Sequence, residues 1–569
     1  MIRDRTAWFL TVLLTGVFSV LLIWPVARVV AGGFRFEGSW TLRYITGVFA
    51  NPIYTEGLLN SLRIAIGATA LACVLAVPLA WLGHTFSFRG QRLLSALLLV
   101  PMVLPPFVGA IGLMQLFSPY GTLNALLGCG PVDWFGQARY AGVILLQALA
   151  FYPIIYLNVS VALANTDPAL DEAAQNLGAG LLTRVRRITL PLIMPGLFAG
   201  CTLVFIACFT ELGTPLILNV SRCAAVQVYD ELKEMSASPF PFALVTVVLV
   251  CSVLLYGLSR RLFGEHALTT PMRATLAHQP RPIRGLQAAL VALPFVLVIL
   301  LALLPHAGVV LTSITVPGAW YRTTLPTAFT AAHYAEALGH DMTLSAIRNS
   351  LLFSLLAVLV NLVLGVTAAW VIVRSRIRAR RFLDSVVMLP LAVPGLVMAF
   401  GFIALSSSLC NAPGVRAFPQ VAALLDIRVN PSLFLVIAYA VRRLPFMVRA
   451  AVAGLQQTSV ELEEAAANLG ATPCCTLRRV TLPLIAANLI AGTLLAFAFS
   501  MLEVSDSLML AQKKAFYPIT KTIFELFQLV GIGRYLASAL GVWAMFFLTV
   551  TIAGCSLLLG RKLGALFRA

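Results

Sequence analysis

The hydrophobic positions of this 569-residue chain form long runs that are separated by short polar segments. Each run approaches the length of about 20 mainly apolar residues that crosses a hydrocarbon core. The runs are rich in Leu, Val and Ala and lack the apolar and polar alternation of barrel strands, so they are predicted to be helices. Two of them carry proline-rich stretches, residues 99–106 and 388–394, which either break the helix around a pore or only kink it. The pattern predicts an all-α polytopic membrane protein of about 12 transmembrane helices, which begin near residues 8, 60, 93, 140, 195, 241, 286, 349, 383, 432, 487 and 538.

Part of the sequence occurs twice. Residues 172–193 and 464–485 are 292 positions apart and are identical at 14 of 22 positions without a gap. Upstream, the Asn-Ser-Leu tripeptides that begin at Asn60 and Asn349 correspond at an offset of 289. Each half is then a six-helix unit, and because six is even the two units enter the membrane in the same direction as parallel repeats. The predicted organisation is a first six-helix unit over 1–263 with its loop at 164–194, a basic cytoplasmic linker over 264–285, and a second six-helix unit over 286–569 with its loop at 456–486.

The duplicated segment has the pattern of a short polar helix between two spans. Asp167, which precedes a proline, is a suitable N-cap in the first copy, and Thr458 with Glu461 forms a capping box in the second. Gly178 and Gly470 are predicted to end these helices at the left-handed C′ position. The two halves differ almost everywhere else, yet they share these residues on a water-exposed loop. We therefore expect each loop to dock a partner, although both could be scaffold that was copied with the spans.

The basic residues predict the orientation of the chain. Of the 40 Lys and Arg residues, 22 fall in segments that are cytoplasmic if both termini are inside, and 13 fall in the outside loops. This bias agrees with the retention of basic residues on the cytoplasmic side. Much of the formal charge of +18 therefore faces anionic lipid headgroups, and no nucleic-acid partner is needed to explain it. The first apolar run lacks a convincing cleavage site, so it is predicted to stay as an uncleaved span.

Motifs for catalysis or metal binding are scarce. The ten cysteines form no C-x-x-C pair and no Cys/His cluster, so no metal site is predicted. The six histidines are also scattered, which disfavours an integral membrane enzyme. No G-x-x-x-x-G-K-[ST] phosphate loop occurs, and the chain has no Gly-Lys dipeptide. The chain is therefore predicted to bind no cofactor itself and to leave any use of ATP to a partner subunit.

Ionisable residues inside predicted spans are candidates for a substrate path, because a charge at the helix centre costs about 2.5–3.5 kcal/mol even on permissive scales. Glu211 and Glu503 correspond at the offset of 292, and Asp506 follows one turn after the second. Arg442 and Arg443 belong to the second half alone. The carboxylates could instead lie at the outer interface or pair with arginines in packing. Arg443 could pair with Glu503 or line a path for an anionic group.

The doubled E-A-A-x-x-x-G loop, followed by Leu-Pro, resembles the signature loop of binding-protein-dependent ABC importer permeases. The fusion of two six-span halves is similar to the subfamily that includes ferric-iron, thiamine and 2-aminoethylphosphonate importers. This resemblance implies a non-enzymatic permease subunit in the bacterial cytoplasmic membrane, which works with two copies of a cytoplasmic ATPase and with an external solute-binding protein. The residues that it implies for ATPase docking are Glu172, Ala173, Gly178, Glu464, Ala465 and Gly470.

The expected substrate is ferric iron on resemblance alone. The matched acidic residues favour a cation such as ferric iron or thiamine, whereas the central arginines leave an anion such as a phosphonate open. A secondary transporter is the alternative class, but such a protein has no reason to carry two matched helical loops. One departure from the repeat lies at residues 180–183 and 472–475, whose sequences differ, so the second short helix of the loop is predicted to start differently in the two halves.

Overall fold

A computed structural model describes residues 4–36, 39–102, 105–136, 139–233, 239–269 and 280–559. Helices dominate these residues, and the named strands within them are two residues long: Arg35–Phe36 pairs antiparallel with Ser39–Trp40, and Phe86–Ser87 pairs parallel with Arg281–Pro282. The second pair joins the end of the second span to the segment before the second half. Residues 270–279, the central part of the predicted basic linker, lie outside the described residues, and the helix before them continues to Thr269.

The helices of the first half, including short 3-10 and π segments, are Asp4–Phe18, Ser19–Ile23, Trp24–Gly33, Arg43–Ala50, Pro52–Thr85, Gln91–Leu97, Val100–Met102, Pro106–Phe117, Thr122–Leu127, Tyr140–Ala164, Pro168–Asn176, Leu181–Arg184, Val185–Thr189, Leu190–Thr210, Gly213–Ile217, Ala224–Lys233 and Phe240–Thr269. Those of the second half are Gly285–Ser313, Ala332–Gly339, Thr343–Arg374, Ala379–Met388, Leu389–Leu391, Gly395–Cys410, Pro413–Arg416, Pro419–Leu425, Ser432–Gln457, Val460–Asn468, Pro473–Thr476, Leu477–Thr481, Leu482–Met501, Ser505–Leu510, Lys514–Phe516, Ile519–Phe527 and Gly533–Leu559.

Among the described residues, nine helices are long and apolar enough to cross a membrane, and the number rises to eleven if each of two bent helix pairs counts as one span. The remaining predicted span, near residue 432, is the helix Ser432–Gln457. This helix has 26 residues but carries three arginines, which makes it less apolar than the others. The prediction of an all-α polytopic membrane protein is confirmed.

The proline-rich stretches break their helices. Helices Gln91–Met102 and Pro106–Leu127 meet at 94°, and Ala379–Leu391 and Gly395–Cys410 meet at 97°. A proline in a helix interior removes a backbone hydrogen bond and its ring clashes with the preceding turn, so several prolines close together end the helix. At these two stretches the helices are therefore broken and not merely kinked.

The first long helix of each half packs against the other half. Helix Trp24–Gly33 lies on Gly395–Cys410, and helix Gly285–Ser313 lies on Pro106–Phe117. A glycine makes each contact close: a Cβ at Gly112 would clash with the Pro305 carbonyl, and one at Gly401 would lie 3.0 Å from the Pro25 carbonyl oxygen. Gly112 and Gly401 correspond at the offset of 289. The two sequence halves are thus interlocked, and small residues allow the backbones to approach.

The predicted orientation can be tested with two exposed thiols. Cys474 lies on the second duplicated loop and Cys129 on a predicted outside loop, and both are free and exposed. In variants that keep only one of them, an impermeant thiol reagent should label Cys129 on intact cells with a permeabilised outer layer, and should label Cys474 only after lysis. Labelling of Cys474 before lysis would reverse the orientation.

Candidate functional site

The duplicated loops form two helices with matching ends, Pro168–Asn176 and Val460–Asn468. Asp167 caps the first, and its carboxylate accepts from the Ala169 amide at 3.0 Å, as predicted. The predicted cap of the second is wrong. Ser459 is the N-cap and accepts from the Glu461 amide at 3.1 Å, whereas the Thr458 hydroxyl donates to the Leu455 carbonyl. Both residues have a hydroxyl and an extended backbone, but the helix begins at Val460, so Ser459 is the residue directly before it, and the Thr458 hydroxyl bonds Leu455 and Arg374 instead.

Both loop helices end at the predicted glycine. Gly178 and Gly470 have φ of +80° and +84°, a region that a residue without a Cβ enters at no steric cost. In the first copy the Ala179 amide donates to the Ala174 carbonyl and the Gly178 amide to the Gln175 carbonyl, both at 2.9 Å. The second copy repeats both bonds at 3.0 Å. This is a Schellman ending, which turns each chain sharply towards the next short helix.

The residues predicted to dock a partner lie on the surface of the loops. Glu172, Ala173 and Gly178 are exposed, and so are Glu464, Ala465 and Gly470 at the matching positions. The most exposed large apolar residues of the two loops are a matched pair on the apolar face of each helix: Leu177 and Leu469 are each 88% exposed. A leucine with so little protein contact at the same place in both loops indicates a surface that is complete only when something covers it.

The second short helix of the loop begins at equivalent residues in the two halves, Leu181 and Pro473, but it starts differently, as predicted. The difference lies in the cap, because the Thr472 hydroxyl accepts from the Cys475 amide at 3.3 Å, while Gly180 has no side chain to do so. Both helices continue through a π-helical turn into the next long helix. Each loop is therefore joined to the following span without a break.

An acidic residue anchors each loop, but its basic partner differs. Asp171 pairs with Arg184 inside the first loop at 2.6 Å. Glu463, at the matching position, pairs instead with Arg374 at 3.1 Å. Arg374 ends the long helix Thr343–Arg374, and its guanidinium also donates to the Thr458 hydroxyl at 2.9 Å. The second loop is thus held by a neighbouring span and the first by itself. Sequence reasoning did not select these two acids as loop anchors. Their spacing of 292 residues, the same as that of the loops, was the sequence signal that could have identified them.

The second half holds a compact cluster of charges in the middle of the protein. Glu503 accepts hydrogen bonds from both Arg442 and Arg443. Of the two predicted roles for Arg443, pairing with Glu503 or lining a path for an anion, the structure shows the pairing. Asp506 lies 3.3 Å from Arg442. Glu503 and Asp506 are 5% and 0% exposed. Two carboxylates and two guanidiniums compensate each other in this cluster, as buried charges must.

The position of Arg442 along its helix shows how deep this charged cluster lies in the membrane-spanning region. Arg442 lies ten residues after Ser432 and fifteen before Gln457, which places it about 15 Å and about 22 Å from the two helix ends. Gly395, the first residue after the break in its span, lies against the Arg442 guanidinium, where a Cβ would collide with it. The broken span and the charged cluster are therefore in contact near the centre of the membrane-spanning region.

Glu211 has a different environment from Glu503, although the two correspond in sequence. Its carboxylate accepts from the Thr214 amide at 2.9 and 3.0 Å and faces the Gln147 amide group at 3.4 Å. Among the described residues, no salt bridge to Glu211 is found. Gly213 lies so close to Val504 that a Cβ there would be 2.8 Å from the valine Cγ1. Glu211 therefore lies where the two halves meet, without a compensating cation.

The described part of the chain contains no group of three or more His, Cys, Asp or Glu side chains that could hold a metal ion. The arrangement instead has two matched surface loops, each continuous with a long helix, and ionisable groups between two interlocked helical halves. These features define a membrane permease.

Comparison with known proteins gives the family. The family described as "Binding-protein-dependent transport system inner membrane component" matches the chain twice, over residues 68–266 and 361–562. The chain belongs to this family, and the two matches confirm that it is a fused pair of permease repeats. Such a protein works with an ATPase and a solute-binding protein, so the family decides against a secondary transporter.

Individual relatives agree on the class but differ in what they carry. The chain is 28% identical over 503 residues to a probable ABC transporter permease of Sinorhizobium fredii, covering 86% of both proteins. It is 26% identical to a ferric transport system permease of Actinobacillus pleuropneumoniae, over 81% of this chain and 64% of that protein. A probable molybdenum ABC transporter permease of Haloferax volcanii is 32% identical over 43% of this chain and 87% of its own length.

Proposed function

We propose that this chain is the permease subunit of an ATP-driven importer in the bacterial cytoplasmic membrane, with both termini in the cytoplasm and one ATPase subunit docked on each duplicated loop. The observation that carries the proposal is the pair of loops: two helices 292 residues apart, with the same Schellman ending and with Leu177 and Leu469 equally exposed. A pair of matching docking surfaces fits two copies of one partner. The docking residues are then Glu172, Ala173, Gly178, Glu464, Ala465 and Gly470.

The sequence indicates which subunit binds and hydrolyses ATP. The chain lacks a phosphate-binding loop of its own, so the docked subunits supply ATP binding and hydrolysis and the permease binds no cofactor. Each loop continues into a long helix through a π-helical turn. A shift of the loop on ATP binding therefore moves the span that ends beside Glu211 or Glu503. The energy of ATP acts by changing the relative stability of inward and outward states.

We propose ferric iron as the substrate, and thiamine or 2-aminoethylphosphonate as alternatives within the same mechanism. The ferric permease relative aligns across both halves of this chain, whereas the molybdenum relative aligns with less than half of it. The charges of the site give independent support for a cation. Arg442 and Arg443 are compensated by Glu503 and Asp506 and offer little to an anion, while Glu211 keeps an uncompensated carboxylate.

The test begins with the partners. Purification of the tagged chain from its own host should recover an ATPase subunit, and crosslinking on intact cells should capture an external binding protein. The melting temperature of that binding protein is then measured with ferric ion, thiamine, 2-aminoethylphosphonate and molybdate. We expect a rise with ferric ion alone, because a ligand that binds only the folded state stabilises it by mass action. A rise with another ligand would replace the proposed substrate, and recovery of the chain without any ATPase would contradict the proposed function.

A further inference from the structure

The repeated Asn-Ser-Leu motif fastens a short helix in each half. In the first half the Ser61 hydroxyl accepts from the Ala224 amide at 2.9 Å, at the start of helix Ala224–Lys233. In the second half the Ser350 hydroxyl accepts from the Ile519 amide at 2.7 Å, at the start of helix Ile519–Phe527. The preceding asparagines bind backbone carbonyls just before each helix, Asn60 that of Arg222 and Asn349 those of Ala515 and Tyr517.

These anchors identify equivalent residues in the two short helices. Tyr229 is the sixth residue of the first helix and Phe524 is the sixth of the second. The two rings pack edge to face, with centroids 6.3 Å apart and planes at 86°, and the residues are 2% and 3% exposed. Equivalent residues of two repeats touch only where the pseudo-two-fold axis passes between them. The aromatic pair therefore lies on the axis that relates the two halves.

A lysine from one half completes this aromatic contact. The Lys521 ammonium lies 5.8 Å from the ring centroids of both Tyr229 and Phe524 and 5.5 Å from that of Tyr517. It also lies 2.9 Å from the Glu525 carboxylate, and the lysine is 5% exposed. Cations are held over aromatic faces by the ring quadrupole, most strongly where water is excluded. The equivalent position in the first half is Val226, so the axis carries one cation.

The aromatic contact is far from the duplicated loops. Ser350 lies 24 residues before Arg374 on one continuous helix, which is about 36 Å and exceeds the thickness of a hydrocarbon core. Arg374 is the residue that binds the second loop through Glu463. The aromatic contact therefore lies towards the membrane face opposite the loops, which is the outer face in the proposed orientation.

A short path of contacts connects the two ends. The second loop continues into helix Leu482–Met501, and Glu503 follows its end. The Glu503 carbonyl accepts from the Thr520 hydroxyl at 2.7 Å, and Thr520 precedes Lys521 in the short helix. The Glu503 carboxylate is meanwhile held by Arg442 and Arg443. A displacement of the loop helix therefore reaches the residue next to Lys521 through packed, hydrogen-bonded groups.

We propose that Tyr229, Phe524 and Lys521 are the outer gate of the substrate path and that the structure has this gate closed. The inference rests on the proposed function, because it takes the space between the halves to be the path. The aromatic rings block the axis, and the Lys521 ammonium, which contacts Tyr229 of the first half and Phe524 of the second, ties the two short helices together in the closed state. Separation of the two short helices, driven from the loops, opens the path to the binding protein.

The first test links the two aromatic positions of the gate, 229 and 524, by a covalent crosslink. Tyr229→Cys and Phe524→Cys are combined in a cysteine-free background and bridged with a short bifunctional thiol reagent. We expect the bridge to form without ATP and to abolish ATP-driven uptake in proteoliposomes, and we expect ATPase recovery to be unchanged and uptake to return when a cleavable bridge is reduced. Each single cysteine variant, treated with the same reagent, should keep its uptake. Normal uptake by the bridged complex would overturn the gate while leaving the permease function intact, whereas loss of the ATPase from the untreated complex would contradict the function itself.

A second variant tests the lysine without a crosslink. Lys521→Met removes the charge and keeps the length of the side chain, and Lys521→Arg keeps the cation. We expect Lys521→Met to raise the ATP-independent leak of small cations about tenfold, which is the effect of one cation–π contact on the closed population. Lys521→Arg should restore the seal. An unchanged leak with Lys521→Met would remove the lysine from the gate.

Discussion

ATP-driven uptake is expected to fall to background when Leu177 and Leu469 are both replaced by aspartate. Each leucine is 88% exposed on its loop helix, and burial of a leucine side chain against a partner contributes about 1.5–3 kcal/mol. Its loss alone weakens docking about tenfold to a hundredfold. An aspartate in a closed apolar contact adds the cost of burying a charge. The measurement is recovery of the ATPase subunit with the tagged permease, together with uptake by the same preparation.

The matched control is Leu424→Asp. Leu424 is 50% exposed on helix Pro419–Leu425, which lies in a predicted outside loop, so the same change there should leave ATPase recovery normal. Gly178→Asp or Gly470→Asp should act in the same direction as the leucine variants, since each places a side chain and a charge on the docking surface, at a left-handed position that favours glycine. Full transport by a Gly178→Asp/Gly470→Asp double variant would show that the loops do not dock the ATPase.

The features that the sequence predicted well are local or repeated. Asp167 before a proline indicated a helix start, and Gly178 and Gly470 indicated helix ends, because caps depend on a few adjacent residues. The spans were recognisable because a hydrocarbon core imposes length and apolarity on each one. Even so, the alternative caps Thr458 and Ser459 are both hydroxyl residues, and only the residue at which the helix begins and the contacts of the Thr458 hydroxyl distinguish them.

The features that the sequence did not reveal depend on contacts between distant segments. Glu463 and Arg374 are 89 residues apart, and nothing in either local sequence pairs them. The Asn-Ser-Leu motif was visible as a repeat, but its role needed the positions of Ala224 and Ile519. Packing of each first helix on the opposite half was also unpredicted, because apolar helices with a glycine can find many partners.

The two matched carboxylates also differ in a way that sequence could not show, and this changes how they are tested. Glu503→Gln would leave Arg443 without its carboxylate partner and Arg442 with Asp506 alone. Breaking a buried ion pair by removing one partner costs about 3–5 kcal/mol. We therefore expect Glu503→Gln to reduce the amount of assembled complex, and loss of uptake in this variant would not separate packing from transport.

Glu211→Gln is the clean test of the substrate path. The amide oxygen of glutamine can still accept from the Thr214 amide, and Glu211 has no salt-bridge partner among the described residues that would be left uncompensated. Assembly, ATPase recovery and expression should therefore remain normal. If the carboxylate guides a cation, its loss removes an attraction of about 1–4 kcal/mol at an effective dielectric between those of water and a protein surface, and uptake should slow at least about fivefold.

The measurement is the initial uptake rate of ferric ion at saturating binding protein, normalised to assembled complex. Glu56→Gln serves as the control, because Glu56 is a surface carboxylate that pairs with Arg222 at 2.7 Å with both side chains largely exposed, and exposed pairs contribute about 0–1 kcal/mol. That variant should transport normally. Combining Glu211→Gln with Glu503→Gln should slow uptake further per assembled complex. Normal uptake by Glu211→Gln would remove this residue from the path, and with it the uncompensated carboxylate on which the charge argument for a cationic substrate rests.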